Sequence, residues 1–181
     1  KVRKSLDALV DAAERNRMWT NGLGTIKTDE LHSYEEALNA KAEAMYLSYG
    51  DPRTVERLME TARNYGRIIQ KNEKGHTHIL SNYFSGTDTV REGIWGWLKP
   101  YSNLILHPGV ALADFNGNPT VRKLITDLAD GYLAHGSQDA NGVWKFPEEI
   151  NASTEETRGV LTARSRGNVA LMQILWEVYR W

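Results

Sequence analysis

The chain has 181 residues, of which 41% are apolar and 25% are charged, so it is long enough and apolar enough to fold around a buried core. Its 22 basic and 23 acidic residues give a net charge of -1, which supplies no general basic field for nucleic acid or an anionic membrane surface. There is no cysteine, which excludes disulfides, thiolate metal sites and cysteine nucleophiles. No apolar run approaches the roughly 20 residues of a membrane-spanning helix. We therefore expect neither nucleic acid nor a membrane as a partner.

The first half of the chain carries helical signals. Apolar spacing predicts a first helix over residues 3–17. A capping box at residues 33–36 begins a second helix, which ends at Gly50. Asp51 and Pro52 form an N-cap and first-turn pair that starts a third helix, extending to about residue 69. Because the connection between them is so short, the second and third helices are predicted to be antiparallel neighbours.

The same turn recurs later in the chain. A helix leads to Asn116-Gly117, and Asn118-Pro119 starts another that continues to about residue 132. Pro52 and Pro119 are 67 positions apart, and residues 168–181 have the pattern of a further helix. Self-similarity at a fixed spacing is typical of repeat architectures. The sequence thus predicts an all-α protein of repeated antiparallel helical hairpins.

Three long connections separate these helices, at about residues 18–33, 72–100 and 136–165. If the helices alternate up and down, all three lie on one rim, together with four of the six Trp residues and, counting His135 at the edge of the third connection, four of the five His residues. An Asn-Gly turn within residues 138–146 predicts a small β-hairpin there. Long connections of this composition are commonly functional. This rim is therefore predicted to carry the working face.

The segment from His76 to Tyr83 carries two imidazoles, an amide and a phenol. Such groups can abstract a proton from carbon while an amide neutralises a neighbouring carboxylate, as eliminative cleavage of a uronic acid chain requires. His107 lies close to the same rim. The His-x-His pair leaves a divalent cation as an alternative, but with no third ligand evident we predict no metal and no other cofactor. The predicted catalytic residues are His78, Asn82, Tyr83 and His107.

Other residues of the rim are of types that can bind an acidic sugar. Indole faces stack on sugar rings, and an inward-pointing arginine can pair with a substrate carboxylate. Each of these side chains also has a structural alternative, in a core contact or an ion pair. The predicted substrate-binding residues are His76, Arg91, Trp95, Trp97, Trp144 and Arg158.

Paired helices with short Gly-Asp-Pro and Gly-Asn-Pro turns and long Trp- and His-rich connections resemble the (α/α) toroid of carbohydrate-active enzymes. The likeness is greatest to polysaccharide lyases of the alginate and chondroitin lyase type. A full ring of six pairs would need roughly 400 residues, so the resemblance implies that residues 1–181 are a single all-α domain belonging to a larger toroid. It implies the rest of the toroid as a partner, and we expect a secreted or periplasmic location.

The predicted function is cleavage of an acidic, uronic-acid-containing polysaccharide by β-elimination, which would make the chain a polysaccharide lyase. One alternative is a glycosidase or unsaturated-uronide hydrolase that uses a pair of carboxylates. A second alternative is a non-catalytic helical scaffold that binds sugar or protein. The carboxylates available for the hydrolase alternative are Asp88, Asp114, Asp139, Glu148 and Glu149.

Overall fold

The computed structural model of the chain describes residues 2–15, 52–81, 83–84, 89–90, 96–100, 103 and 106–181. The helices within these residues are α1 (Val2–Arg15), α2 (Pro52–Ile68), α3 (His107–Asn116), α4 (Pro119–Leu133) and α5 (Arg166–Arg180). The predicted helix over residues 33–50 lies outside the described residues. None of the described helices is long and apolar enough to cross a bilayer.

The junction between α3 and α4 has the predicted turn. Gly117 ends α3 with a left-handed φ of 70°, and its N–H donates to the Ala113 carbonyl. The Asn118 side chain caps α4 by accepting a 3.0 Å hydrogen bond from the Val121 N–H. Pro119 occupies the first turn of α4, where no intrahelical N–H is needed. Local capping chemistry is therefore sufficient to place this boundary.

Short antiparallel strands fill the connections between helices. The strands are β1 (Ile69–Lys71), β2 (Thr77–Ile79), β3 (Tyr83–Phe84), β4 (Thr89–Val90), β5 (Trp97–Leu98), β6 (Ser137–Gln138), β7 (Trp144–Lys145), β8 (Glu149–Asn151) and β9 (Thr157–Arg158). β1 pairs with β2, β3 with β4, and β6 with β7, while β8 lies between β5 and β9. The β6–β7 pair is the hairpin predicted at residues 138–146, with Gly142 at a φ of 75° in its turn.

The prediction of an all-α chain of helical hairpins forming part of an (α/α) toroid is wrong, because the fold mixes helices with small antiparallel sheets. Two of the predicted loops contain strands, and β5 pairs with β8 across more than 50 residues, with Leu98 opposite Ile150. These pairings satisfy backbone groups that a helical repeat would leave to solvent. The signals at Pro52, Gly117 and Asn118 identified helix boundaries correctly, but they carry no information on what the connections form.

The core lies where α2, α3, α4 and α5 meet. Tyr65 of α2 is fully buried, and its hydroxyl accepts a 3.0 Å hydrogen bond from the Gly109 N–H of α3. Tyr132 of α4 is also buried, and its hydroxyl donates to Asn103 Oδ1 at 3.3 Å. Both phenols thus satisfy their polar atoms inside an apolar cluster. Further core side chains are Ile68, Ile79, Leu98, Leu106, Leu112, Ile125, Leu128, Leu171 and Ile174.

Strand β2 lies directly against α4 at Gly131. A Cβ atom at position 131 would collide with the backbone carbonyl oxygen of Thr77. Only glycine permits an approach this close, since any side chain would push the strand away from the helix. The contact places the residue after Thr77, His78, beside the end of α4.

Candidate metal centre

Three segments that are distant in sequence bring four side chains together. His76 and His78 come from the β1–β2 hairpin, His135 follows the end of α4, and Glu155 lies in the turn between β8 and β9. One possible ligand atom from each side chain lies within 4.8 Å of every other. Within the described ranges this is the one group of three or more His, Asp or Glu residues with that arrangement.

The distances around the carboxylate are close to those of a four-coordinate site. His76 Nδ1 lies 2.7 Å and His78 Nε2 3.5 Å from Glu155 Oε1, while His135 Nε2 lies 3.7 Å from Oε2. Ligands bound tetrahedrally to zinc at about 2.0 Å stand about 3.3 Å apart. The three contacts with the carboxylate are thus within about 0.6 Å of this spacing, and the imidazole nitrogens, which lie up to 4.8 Å apart, would have to move closer together on binding.

His78 presents a buried nitrogen without a hydrogen-bond partner. Its side chain is 1% exposed, and Nε2 makes no hydrogen bond with the described residues. Burial, reinforced by the charge of His135 and opposed by Glu155, lowers the pKa of His78 to about 4. The imidazole is therefore neutral near pH 7, which is the protonation state a metal ligand requires.

A backbone contact fixes the orientation of the His135 ring. Its Nδ1 lies 2.7 Å from the Gly131 carbonyl oxygen, which can only accept a hydrogen bond. Nδ1 therefore carries a proton and donates, which leaves Nε2 on the side of the ring that faces Glu155. A metal-binding histidine commonly donates its second ring N–H to a carbonyl in this way.

Glu155 occupies an unusual backbone conformation. It has a φ of 61°, and it is the one non-glycine residue with a positive φ in the described parts of the chain. For an L-residue this conformation costs about 1 to 2 kcal/mol. Although burial raises the pKa of Glu155, hydrogen bonds from Asn72 and His76 outweigh it and lower the pKa to about 2. The turn thus holds an ionised carboxylate among three imidazoles, and strained residues of this kind concentrate at functional sites.

The types of ligand atom and their burial indicate which metal ions the site would bind. Three imidazole nitrogens with one carboxylate oxygen suit Zn²⁺ and other late divalent transition metals, whereas Mg²⁺ and Ca²⁺ prefer oxygen ligands. The exposed fraction of the side chain is 39% for His76 but only 1%, 9% and 8% for His78, His135 and Glu155. Four protein ligands that are mostly buried correspond to a closed, structural type of site.

The structure places the predicted site residues in different surroundings. His76 and His78 belong to the candidate metal centre formed with His135 and Glu155. The Nε2 atom of His107, at the start of α3, is instead 3.1 Å from Gln173 Oε1 on α5. Tyr83 lies in β3, paired with Val90. Asn82, Arg91, Trp95 and Asp88 lie outside the described residues.

The remaining predicted sugar-binding residues are engaged with neighbours. The Arg158 guanidinium lies over the Trp97 ring, 3.4 Å from its centroid. Trp144 is half exposed and stacks on Phe146, with ring centroids 5.9 Å apart. Arg158 therefore covers one face of the Trp97 indole.

The candidate carboxylates are also dispersed. Asp114 pairs with Arg180 at 2.7 Å, Asp139 with Lys145 at 3.4 Å, and Glu149 with Lys99 at 3.1 Å. Glu148 lies beside Gly159. Each is thus engaged with a different local neighbour, and the use of any two as a hydrolytic pair stays a prediction.

Comparison with known proteins finds no matching family model, no similar curated protein and no similar solved structure. Sequence reasoning found the His-x-His pair but missed His135 and Glu155 as its partners. His135 directly precedes the predicted connection at residues 136–165, whereas Glu155 stands beside Glu156 with no local pattern of a metal ligand.

Proposed function

We propose that the chain binds one divalent transition-metal ion, Zn²⁺ in the first instance, through His76, His78, His135 and Glu155. The observation that carries this proposal is the buried Nε2 atom of His78, which lies 3.5 Å from Glu155 Oε1 and makes no well-formed hydrogen bond with the described residues. A buried polar atom without a partner costs about 1 to 3 kcal/mol. A metal ion bound to Nε2 would remove this cost and would bond the other three ligands at the same time.

The metal fastens the small sheets to the helices. Its ligands belong to the β1–β2 hairpin, the end of α4 and the β8–β9 turn, which are separate in sequence. Binding to such a site contributes directly to folding free energy, since the unfolded chain has no preformed site. A structural ion suits a chain whose connections consist of strands of two or three residues.

Zinc titration with matched histidine variants tests the proposal. The metal-free protein is titrated in competition with a chromogenic chelator, and the bound metal is counted by elemental analysis. We expect one zinc ion per chain, loss of this site in His78→Ala, and unchanged binding in His107→Ala. His107 is the matched control because its ring contacts Gln173 outside the centre. Equal zinc affinity of the wild type and His78→Ala would overturn the proposal.

Eliminative cleavage of an acidic polysaccharide is the second candidate function, and a surface feature favours it. A cavity of about 520 Å³ is lined by Lys99, Arg164, Glu148 and the hydroxyl residues Thr162 and Ser165, among others, and Lys99 is paired with Glu149. The Arg164 guanidinium and the hydroxyls are groups that can bind the carboxylate and hydroxyls of a uronic acid.

A panel of uronic acid polymers tests this second function. Lyase activity produces an unsaturated uronate with a new ultraviolet absorbance, whereas hydrolysis produces reducing ends without it. We expect Arg164→Gln to lower the rate at limiting polymer concentration, with Arg63→Gln, on the exposed surface of α2, as the control. Polymer left intact by the metal-loaded protein would remove this candidate.

A further inference from the structure

A single amide side chain connects the two turns that carry metal ligands. Asn72 Nδ2 donates to Glu155 Oε1 at 2.6 Å and to the Ala152 carbonyl oxygen at 3.2 Å. Its Oδ1 accepts from the backbone N–H groups of Lys74 and His76, both at 3.0 Å. Asn72 therefore contacts the β8–β9 turn through its donor and the β1–β2 turn through its acceptor.

These contacts act on two of the four ligands. The amide donor holds one oxygen of Glu155 in place, and the amide acceptor fixes the backbone of His76. The backbone N–H of Asn72 also donates to the His76 carbonyl oxygen at 2.8 Å, which closes the same turn. The hydrogen bonds that orient metal ligands commonly change metal affinity 10- to 100-fold when they are removed.

We infer that Asn72 is a positioning residue of the metal centre, which sets zinc affinity by orienting the Glu155 carboxylate toward the three imidazoles. The inference rests on the proposed metal site and identifies a residue that sets zinc affinity without being a ligand. Asn72 itself need not touch the metal. Its effect depends on keeping the carboxylate of the strained Glu155 turn in a single orientation, so that the metal does not have to order it.

The test compares the same substitution at two positions. Asn72→Ser removes the amide that reaches Glu155 while leaving an oxygen for the local turn. Asn118→Ser is the matched control, because Asn118 also accepts a backbone N–H and serine is an equally good helix cap. Position 118 lies at the far end of α4, about 22 Å along the helix from its C-terminus. We expect a 10- to 100-fold higher Kd for zinc in Asn72→Ser and less than a twofold change in Asn118→Ser.

A double-mutant cycle separates positioning from a general effect on folding. If Asn72 acts through the carboxylate, Asn72→Ser changes the zinc Kd by less than twofold when Glu155 is already alanine. The visible absorption of bound Co²⁺ should also shift in Asn72→Ser at saturating metal, because the oxygen ligand is no longer held. A spectrum identical to that of the wild type would count against the inference.

The possible failures are distinguishable. If wild-type protein binds no zinc at a site dependent on His78, the metal centre is wrong and the role of Asn72 falls with it. If wild type binds but Asn72→Ser matches it within twofold, only the inference about Asn72 is overturned. An equal loss of affinity in the wild-type and Glu155→Ala backgrounds also overturns it, because the effect would not pass through the carboxylate.

Discussion

The side chains of the centre are oriented by contacts within the protein. His135 is held by the Gly131 carbonyl, and Glu155 by Asn72, through short hydrogen bonds that do not require a metal. Preorganisation of this kind lowers the ordering cost that a metal must otherwise overcome. At the residue scale, the sequence indicated His76 and His78, but the ligand role of Glu155 depends on a turn that brings position 155 beside position 76. No local pattern encodes that proximity.

Because two tyrosines are buried, we expect the free energy of unfolding to decrease at alkaline pH. Burial raises the pKa of Tyr65 and Tyr132 well above the ordinary value near 10. The folded state therefore retains phenolic protons that the unfolded state loses, so stability is complete below about pH 10 and falls as pH rises above it. We expect each phenol to contribute a slope of about 1.4 kcal/mol per pH unit in that range.

Denaturant unfolding of Tyr132→Phe between pH 8 and 11 checks this prediction. The variant should lose about 1 kcal/mol at neutral pH, because Asn103 loses its hydrogen-bond partner. Above about pH 10, the unfolding free energy of the variant should fall less steeply with pH than that of the wild type, because one fewer buried phenol can lose its proton on unfolding. Tyr179→Phe is the control, since that side chain is 81% exposed. Parallel curves for the wild type and Tyr132→Phe would contradict the assignment.

Individual helices follow local chemistry, whereas the small sheets depend on distant partners. The capping residues at Gly117 and Asn118 were sufficient to predict where α3 ends and α4 begins. β5 and β8 have only two and three residues, so neither shows a measurable alternation, and their pairing joins positions more than 50 residues apart. The all-α prediction is therefore wrong because the strands in the connections could not be recognised from local sequence.

Two helical glycines should respond in opposite directions to substitution by alanine. Gly131→Ala forces the new methyl into the Thr77 carbonyl, so we expect a loss of about 1 to 3 kcal/mol in unfolding free energy. Gly66→Ala on α2 meets nothing within 4 Å and should stabilise the protein by about 0.5 to 1 kcal/mol. Urea unfolding measures both changes.

Zinc affinity provides a second measurement on the same pair of variants. Gly131→Ala should also weaken zinc binding, because it moves β2 and the carbonyl that orients His135. Gly66→Ala should leave zinc affinity unchanged. A Gly131→Ala protein as stable as the wild type would show that β2 does not pack tightly on α4.

For the whole molecule, the proposed metal would add a bond between parts of the chain that are distant in sequence and already in contact through β2, α4 and the side chain of Asn72. Free zinc at 100 times its Kd should raise the unfolding free energy by about 2.7 kcal/mol. Hydrogen exchange should show the largest added protection at residues 72–76 and 151–156, the two turns that meet at the centre. Protection spread evenly over α2 and α3 would indicate that zinc acts elsewhere. His78→Ala is the control, and its exchange pattern should not respond to zinc.

The exposed Asn141-Gly142 turn separates the three histidines from Glu155 along the chain. A protease that cuts this turn would produce one fragment with the imidazoles and another with the carboxylate. The ion would then act as a cross-link between two polypeptides, and a chelator would accelerate their separation during size-exclusion chromatography.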